Sequence, residues 1–178
     1  MHFKSKLPSI SLIIAIFFFA SCGPSVEELK NEISNTEKEL KNSDGIMPDS
    51  LSAAKAIAQY TDFVKSFPDD SLSPVYLFRG SNLAAQKGDL TLALKLLDQL
   101  HRDYPSHKDA PKALFLKGFV SETQMGDFKT AEACYREFLK SYPNNELAGD
   151  VRFSLDNLGK SPEQLLKEIS ASDTIVSK

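Results

Sequence analysis

Tryptophan is absent from this 178-residue chain, which holds only two cysteines and three histidines. Each scarcity removes a class of function. Two cysteines, Cys22 and Cys134, are too few for the disulfide framework of a small exported domain. His2 lies in the cationic first segment. His101 and His107 sit six residues apart across a proline, which is not a metal-ligand spacing, so both are read as solvated. Neither GxGxxG, a Walker glycine loop, HExxH nor GxSxG occurs. No catalytic residue, metal or cofactor is therefore expected, and the paired Asp69 and Asp70 read as turn chemistry. The formal net charge is -3, and beyond the first twenty-one residues nineteen basic groups face twenty-four acidic ones, with no basic stripe interleaved with aromatics. Nucleic acid is not an expected partner. Apolar runs are short as well. The longest, "ISLIIAIFFFA" at 10–20, has eleven residues, well under the ~20 needed to span a bilayer.

That run follows the cationic "MHFKSK", so residues 1–21 read as an export signal. The "FASC" that closes it, with Ala20 and Ser21 before Cys22, resembles the lipobox of bacterial lipoproteins, although Phe19 stands where the family usually has Leu. The resemblance implies cleavage before Cys22 and acylation of its sulfur and new amino terminus, palmitate included. Several acyl chains, at ~0.8 kcal/mol per buried methylene, would hold the chain on a membrane. Gly23 stands where inner-membrane retention commonly uses Asp, so the implied destination is the outer membrane, facing the periplasm. With Cys22 so used, Cys134 has no intramolecular partner and reads as a small helix residue.

The dominant pattern is a repeat. Pro68, Pro105 and Pro143 lie thirty-seven and thirty-eight residues apart within "KSFPDD", "RDYPSH" and "KSYPNN". Twelve residues before each proline stands Ala56, Ala93 or Ala131. Eight before it is Tyr60, Leu97 or Tyr135; five before it is Phe63, Leu100 or Phe138; immediately before it is Phe67, Tyr104 or Tyr142. Steps of four, three and four keep these side chains on one buried helical face. A methyl side chain at the alanine lets a neighbouring helix approach closely. Lys65, Arg102 and Lys140 complement the helix dipole in the last turn, and the proline stops the helix.

The later two of these helices open on "GDL" (88–90) and "GDF" (126–128). There Gly88 and Gly126 can take φ > 0, and Asp89 and Asp127 can cap. Helical stretches are predicted before these junctions, from Pro74 to Lys87 and from Ala110 to Met125, with Phe78, Phe115 and Phe153 each ten residues past a proline. Stacked antiparallel helix pairs follow.

Gly126, Asp127, Phe128, Ala131, Tyr135 and Pro143 resemble the consensus of tetratricopeptide repeats, and Gly88, Asp89, Leu90, Ala93 and Pro105 nearly as well. Gly80 and Gly118 each lie eight residues before their junction glycine where that family has seven, which predicts a first helix one residue longer. The aromatic-rich form is similar to the repeats of envelope lipoproteins such as the barrel-assembly lipoprotein and the Tol-Pal coordinator. The expected fold is all-α: an α-α superhelix, or solenoid, of about three helix hairpins with a C-terminal capping helix.

The expected layout is a signal at 1–21, an anchor-proximal helix and linker at 22–49, a repeat domain at 50–170 and a flexible tail at 171–178. Val26, Leu29, Ile33 and Leu40 mark a helix from Ser25 to Lys41, either the first helix of repeat one or a polar tether. Ser161, Pro162 and Glu163 start a short capping helix. The first helices of such an array line an extended concave surface. Arg79, Asn82, Lys117, Phe119 and Glu122 are the candidate partner-binding residues there, Arg79 and Lys117 each preceding a helix glycine. The expected function is a lipid-anchored scaffold that binds another cell-envelope protein or peptide. The alternatives are an accessory of outer-membrane protein assembly or Tol-Pal coordination, and an enzyme or ligand carrier, which would show a deep enclosed pocket.

Overall fold

The computed structural model describes residues 24–41, 50–161 and 163–167. Cys22, the export signal expected at 1–21, residues 42–49 of the expected linker and the tail expected at 171–178 lie outside the described residues. Among the described residues seven helices follow in order: α1 (Val26–Lys41), α2 (Ser50–Ser66), α3 (Ser73–Gln86), α4 (Leu90–Asp103), α5 (Ala110–Thr123), α6 (Phe128–Ser141) and α7 (Ala148–Asp156). A further helical turn occupies 163–167. No strand occurs among the described residues, and each helix packs on the next to form a tetratricopeptide-like α-α superhelix.

The repeated register is the core. Ala56, Ala93 and Ala131 are at most 1% exposed, and Phe63, Leu100 and Phe138 are fully buried, each of these three contributing about 2 kcal/mol. Tyr60, Leu97 and Tyr135 are buried with them. First helices neighbour first helices: Arg79 of α3 reaches Glu37 of α1, and the Lys112 ammonium of α5 lies 5.3 Å from the Phe78 ring centre. Second helices meet on the opposite side, where His101 of α4 contacts Glu137 and Tyr142 at α6.

The structure decides the status of α1. Leu29 and Ile33 belong to one core with Ala56, Tyr60 and Phe63, and Lys30 reaches Asp70 at 2.9 Å. The helix therefore packs as the first member of hairpin one, and a capping box starts it: Glu28 N–H donates to Ser25 Oγ, and Ser25 N–H to the Glu28 carboxylate.

Helix ends follow the local chemistry. Gly88 and Gly126 have φ of 79° and 66°, and the next residue caps the following helix, Asp89 accepting from Leu92 N–H and Asp127 from Thr130 N–H. The proline turns repeat equally closely. Asp70, His107 and Asn145, two residues past each proline, each accept the N–H two positions on, at Leu72, Asp109 and Leu147. His107 Nδ1 thus takes the place of an Asx oxygen. Contrary to the expectation of solvated histidines, the His107 and His101 side chains are only 20% and 17% exposed.

The first helices of hairpins two and three are equal in length. The helices α3 and α5 both have fourteen residues, and the junction after α5 is one residue longer, 124–127 against 87–89. Gly80 is the eighth residue of α3 but Gly118 the ninth of α5, because Gly118 lies thirteen residues past its proline and Gly80 twelve past its own. A Cβ on Gly118 would lie 2.7 Å from Tyr135 Cε1 and 3.1 Å from Cys134 Cβ, whereas one on Gly149 meets nothing within 4 Å. Gly118→Ala is expected to cost about 1–3 kcal/mol by overpacking against a fully buried ring. Gly149→Ala should be neutral or slightly stabilising. Urea titrations of the two variants check this pair, and equal midpoints would contradict it.

Candidate partner-binding groove

Position along the helix decides what each candidate side chain can do. Arg79 is the seventh residue of α3, and its Nη1 lies 2.5 Å from Glu37 Oε1. That carboxylate oxygen also accepts the Tyr60 hydroxyl at 2.8 Å. The phenol is pushed up strongly by burial first and by the Glu37 hydrogen bond second, so it remains a donor. Glu37, Leu40, Tyr60, Arg79, Asn82 and Leu83 together line an open cleft of about 270 Å³ between α1 and α3. Its apolar parts are Leu40, Leu83 and the Tyr60 ring. Its rim is polar: the Arg79 side chain is 48% exposed, and Asn82 one turn further is exposed with its amide uncommitted to any described group.

Lys117 does not stand in the place of Arg79. One extra residue before Gly118 rotates it by about 100°, and its ammonium lies 2.5 Å from Asp98 of α4, with its side chain only 25% exposed. Burial alone would lower the Lys117 pKa, but the Asp98 hydrogen bond and neighbouring acidic charges outweigh it and the net direction is upward. Asp98 is correspondingly held below the ordinary carboxylate value, chiefly by Lys117. Lys117 thus ties hairpin two to hairpin three. Beside it Cys134 is 3% exposed, and burial pushes its thiol up, which suits a packing role.

Phe119 and Glu122 share one face of α5, a turn apart. Phe119 is 43% exposed, with its ring centre 6.1 Å from that of Phe115. Glu122 accepts the hydroxyl of fully buried Tyr135 at 2.7 Å. The candidates therefore divide between two places, Arg79 and Asn82 at the α1–α3 cleft and Phe119 with Glu122 on α5, while Lys117 serves an interhelix contact. Sequence reasoning did not select Glu37, Leu40 or Tyr60 for the cleft. Glu37 lies one turn beyond Ile33, beside the apolar stripe, and Tyr60 carries a hydroxyl on an otherwise apolar register; those were the available signals.

Chemically the cleft offers one guanidinium, one free amide and an apolar floor, and it is open. Among the described residues no group of three His, Cys, Asp or Glu side chains is placed to hold a metal ion, and no helix is long and apolar enough to cross a membrane.

Comparison with known families bears on the third hairpin. Residues 112–145, which run from the first turn of α5 to the turn after α6, match the tetratricopeptide repeat family. No curated protein matches the chain. Such repeats point to a protein-interaction scaffold.

The ion pair between hairpins generates a pH test. A depressed Asp98 contributes stability above its unfolded pKa of about 3.9, and the contribution is lost as pH falls through the lower folded value. Lys117→Met keeps the stem and removes the charge, so it should cost about 1 kcal/mol or less at pH 7 for this partly exposed pair. The gap in melting temperature should narrow as pH drops below about 4. A gap independent of pH would assign the effect of Lys117 to packing alone.

Proposed function

We propose that this chain is a scaffold of the bacterial cell envelope, held on the periplasmic side of the outer membrane by lipid on Cys22. Through the face lined by its first helices it binds another envelope protein or peptide. The observation that carries the binding half is the α1–α3 cleft, where the Asn82 amide and the guanidinium nitrogens of Arg79 other than the one held by Glu37 stand above Leu40 and Leu83. A partner segment would lay an apolar side chain on that floor and meet the guanidinium and amide with carbonyl or carboxylate oxygens. The anchoring half is supported by sequence: a cationic start, an eleven-residue apolar run and the "FASC" segment. Nothing about the cleft requires a reaction. Its task is to hold a partner near a membrane, and stacked hairpins bury enough core to keep that surface in shape without a ligand.

Two measurements test the halves separately. Metabolic labelling with a palmitate analogue should mark the wild-type protein and leave Cys22→Ala unmarked; equal labelling of both removes the anchor. Crosslinking in membranes followed by affinity purification should recover a defined envelope partner. Asn82→Trp, which fills the cleft from an exposed position, should cut that recovery by about tenfold or more while leaving the melting temperature within about 2 °C of wild type. Undiminished recovery would place the partner elsewhere.

A further inference from the structure

The three inter-hairpin junctions on the first-helix side can be compared residue by residue. The seventh residues of α3, α5 and α7 are Arg79, Leu116 and Ser154, each nineteen positions after Tyr60, Leu97 and Tyr135 respectively. At the first junction the Tyr60 hydroxyl donates to Glu37, and Arg79 neutralises that carboxylate. The middle junction is apolar, with Leu97, Leu116 and, on α3, Ala84 and Ala85. At the third the Tyr135 hydroxyl donates to Glu122 as Tyr60 does to Glu37, but the position of Arg79 is taken by Ser154, which faces the same phenol. Glu122 has no ion-pair partner among the described residues. The field at the two phenols differs in the same way, since Arg79 is among the chief groups acting on Tyr60 and, of the described residues, no cation is among those acting on Tyr135.

We propose that Glu122 is the receptor for a cationic side chain, an arginine or lysine of the bound partner, which completes at the third junction the pair that Arg79 completes internally at the first. The inference rests on the scaffold reading above and specifies the chemistry of its partner. The surroundings fit a cation with an alkyl stem. Phe119, 43% exposed, lies one turn before Glu122 on the same helix face, and Phe153, 60% exposed, precedes Ser154 on α7. Exposed aromatic faces attract a cation and cover its methylenes. The carboxylate is already oriented by a buried phenol, so little ordering is left to the binding step.

The test selects binders from a random twelve-residue peptide library displayed on phage, using the full chain without its signal and with Cys22→Ser, and measures the binders by fluorescence anisotropy. Selected peptides should carry Arg or Lys next to an apolar residue. Their affinity should fall about tenfold or more in Glu122→Gln, which keeps an acceptor for Tyr135 while losing the charge. Ser154→Arg should abolish the same binding by supplying the cation in cis, with a melting temperature at or above that of wild type. Replacing the peptide cation by norleucine should reproduce the loss. Binders without a cation, or bound equally by Glu122→Gln, would overturn the inference and leave the scaffold reading standing if Asn82→Trp still weakens them. A library that yields no binder would overturn both.

Discussion

Close approach of helices at a repeated alanine governs this molecule. Where Ala56, Ala93 and Ala131 sit, a neighbouring helix comes near enough for aromatic or Leu side chains four and seven residues on to fill the adjoining space, and those side chains are essentially excluded from water. Each hairpin buries its face only because the next one arrives, so cohesion is local and passes from neighbour to neighbour. Gly118 carries the same constraint to its limit: the Tyr135 ring occupies the space that any side chain there would need.

On that apolar frame the polar groups separate into two kinds. Some hold hairpins together, as Lys117 with Asp98, Lys30 with Asp70 and His101 with Glu137 do. Others lie on the first-helix face with capacity to spare, as Arg79, Asn82 and Glu122 do. The distinction turns on helix position, not residue type, because a shift of one residue in a helix moves a side chain by about 100°. Arg79 and Lys117 both precede a glycine in sequence, yet one rims an open cleft and the other is three-quarters buried against α4.

The proline turns show how different residues serve one geometry. Asp70, His107 and Asn145 share little beyond a hydrogen-bond acceptor two atoms from Cβ or nearer, and each receives the N–H two residues on. Such substitution hides a repeat from simple residue matching while preserving it in space. The family match at 112–145 falls on the hairpin that keeps Gly126, Asp127, Ala131, Tyr135 and Pro143 together.

Much of the fold was legible because periodicity and punctuation are local. The alanine and aromatic spacing, the Gly-Asp junctions and the proline stops act within a helix or a turn, and those are the places where helices α2 to α6 begin, end and bury a face. Long-range outcomes were not legible. Whether α1 joined the array depended on Leu29, Ile33 and Glu37 finding α2 and α3, and a stripe of apolar residues is equally compatible with a tether. The groove was decided the same way. Sequence supplied the charges at Arg79, Lys117 and Glu122, but only packing determined that, among the described residues, the first two are paired with a carboxylate and the third with no cation, since an ion pair is fixed by the distance between atoms and not by the order of residues.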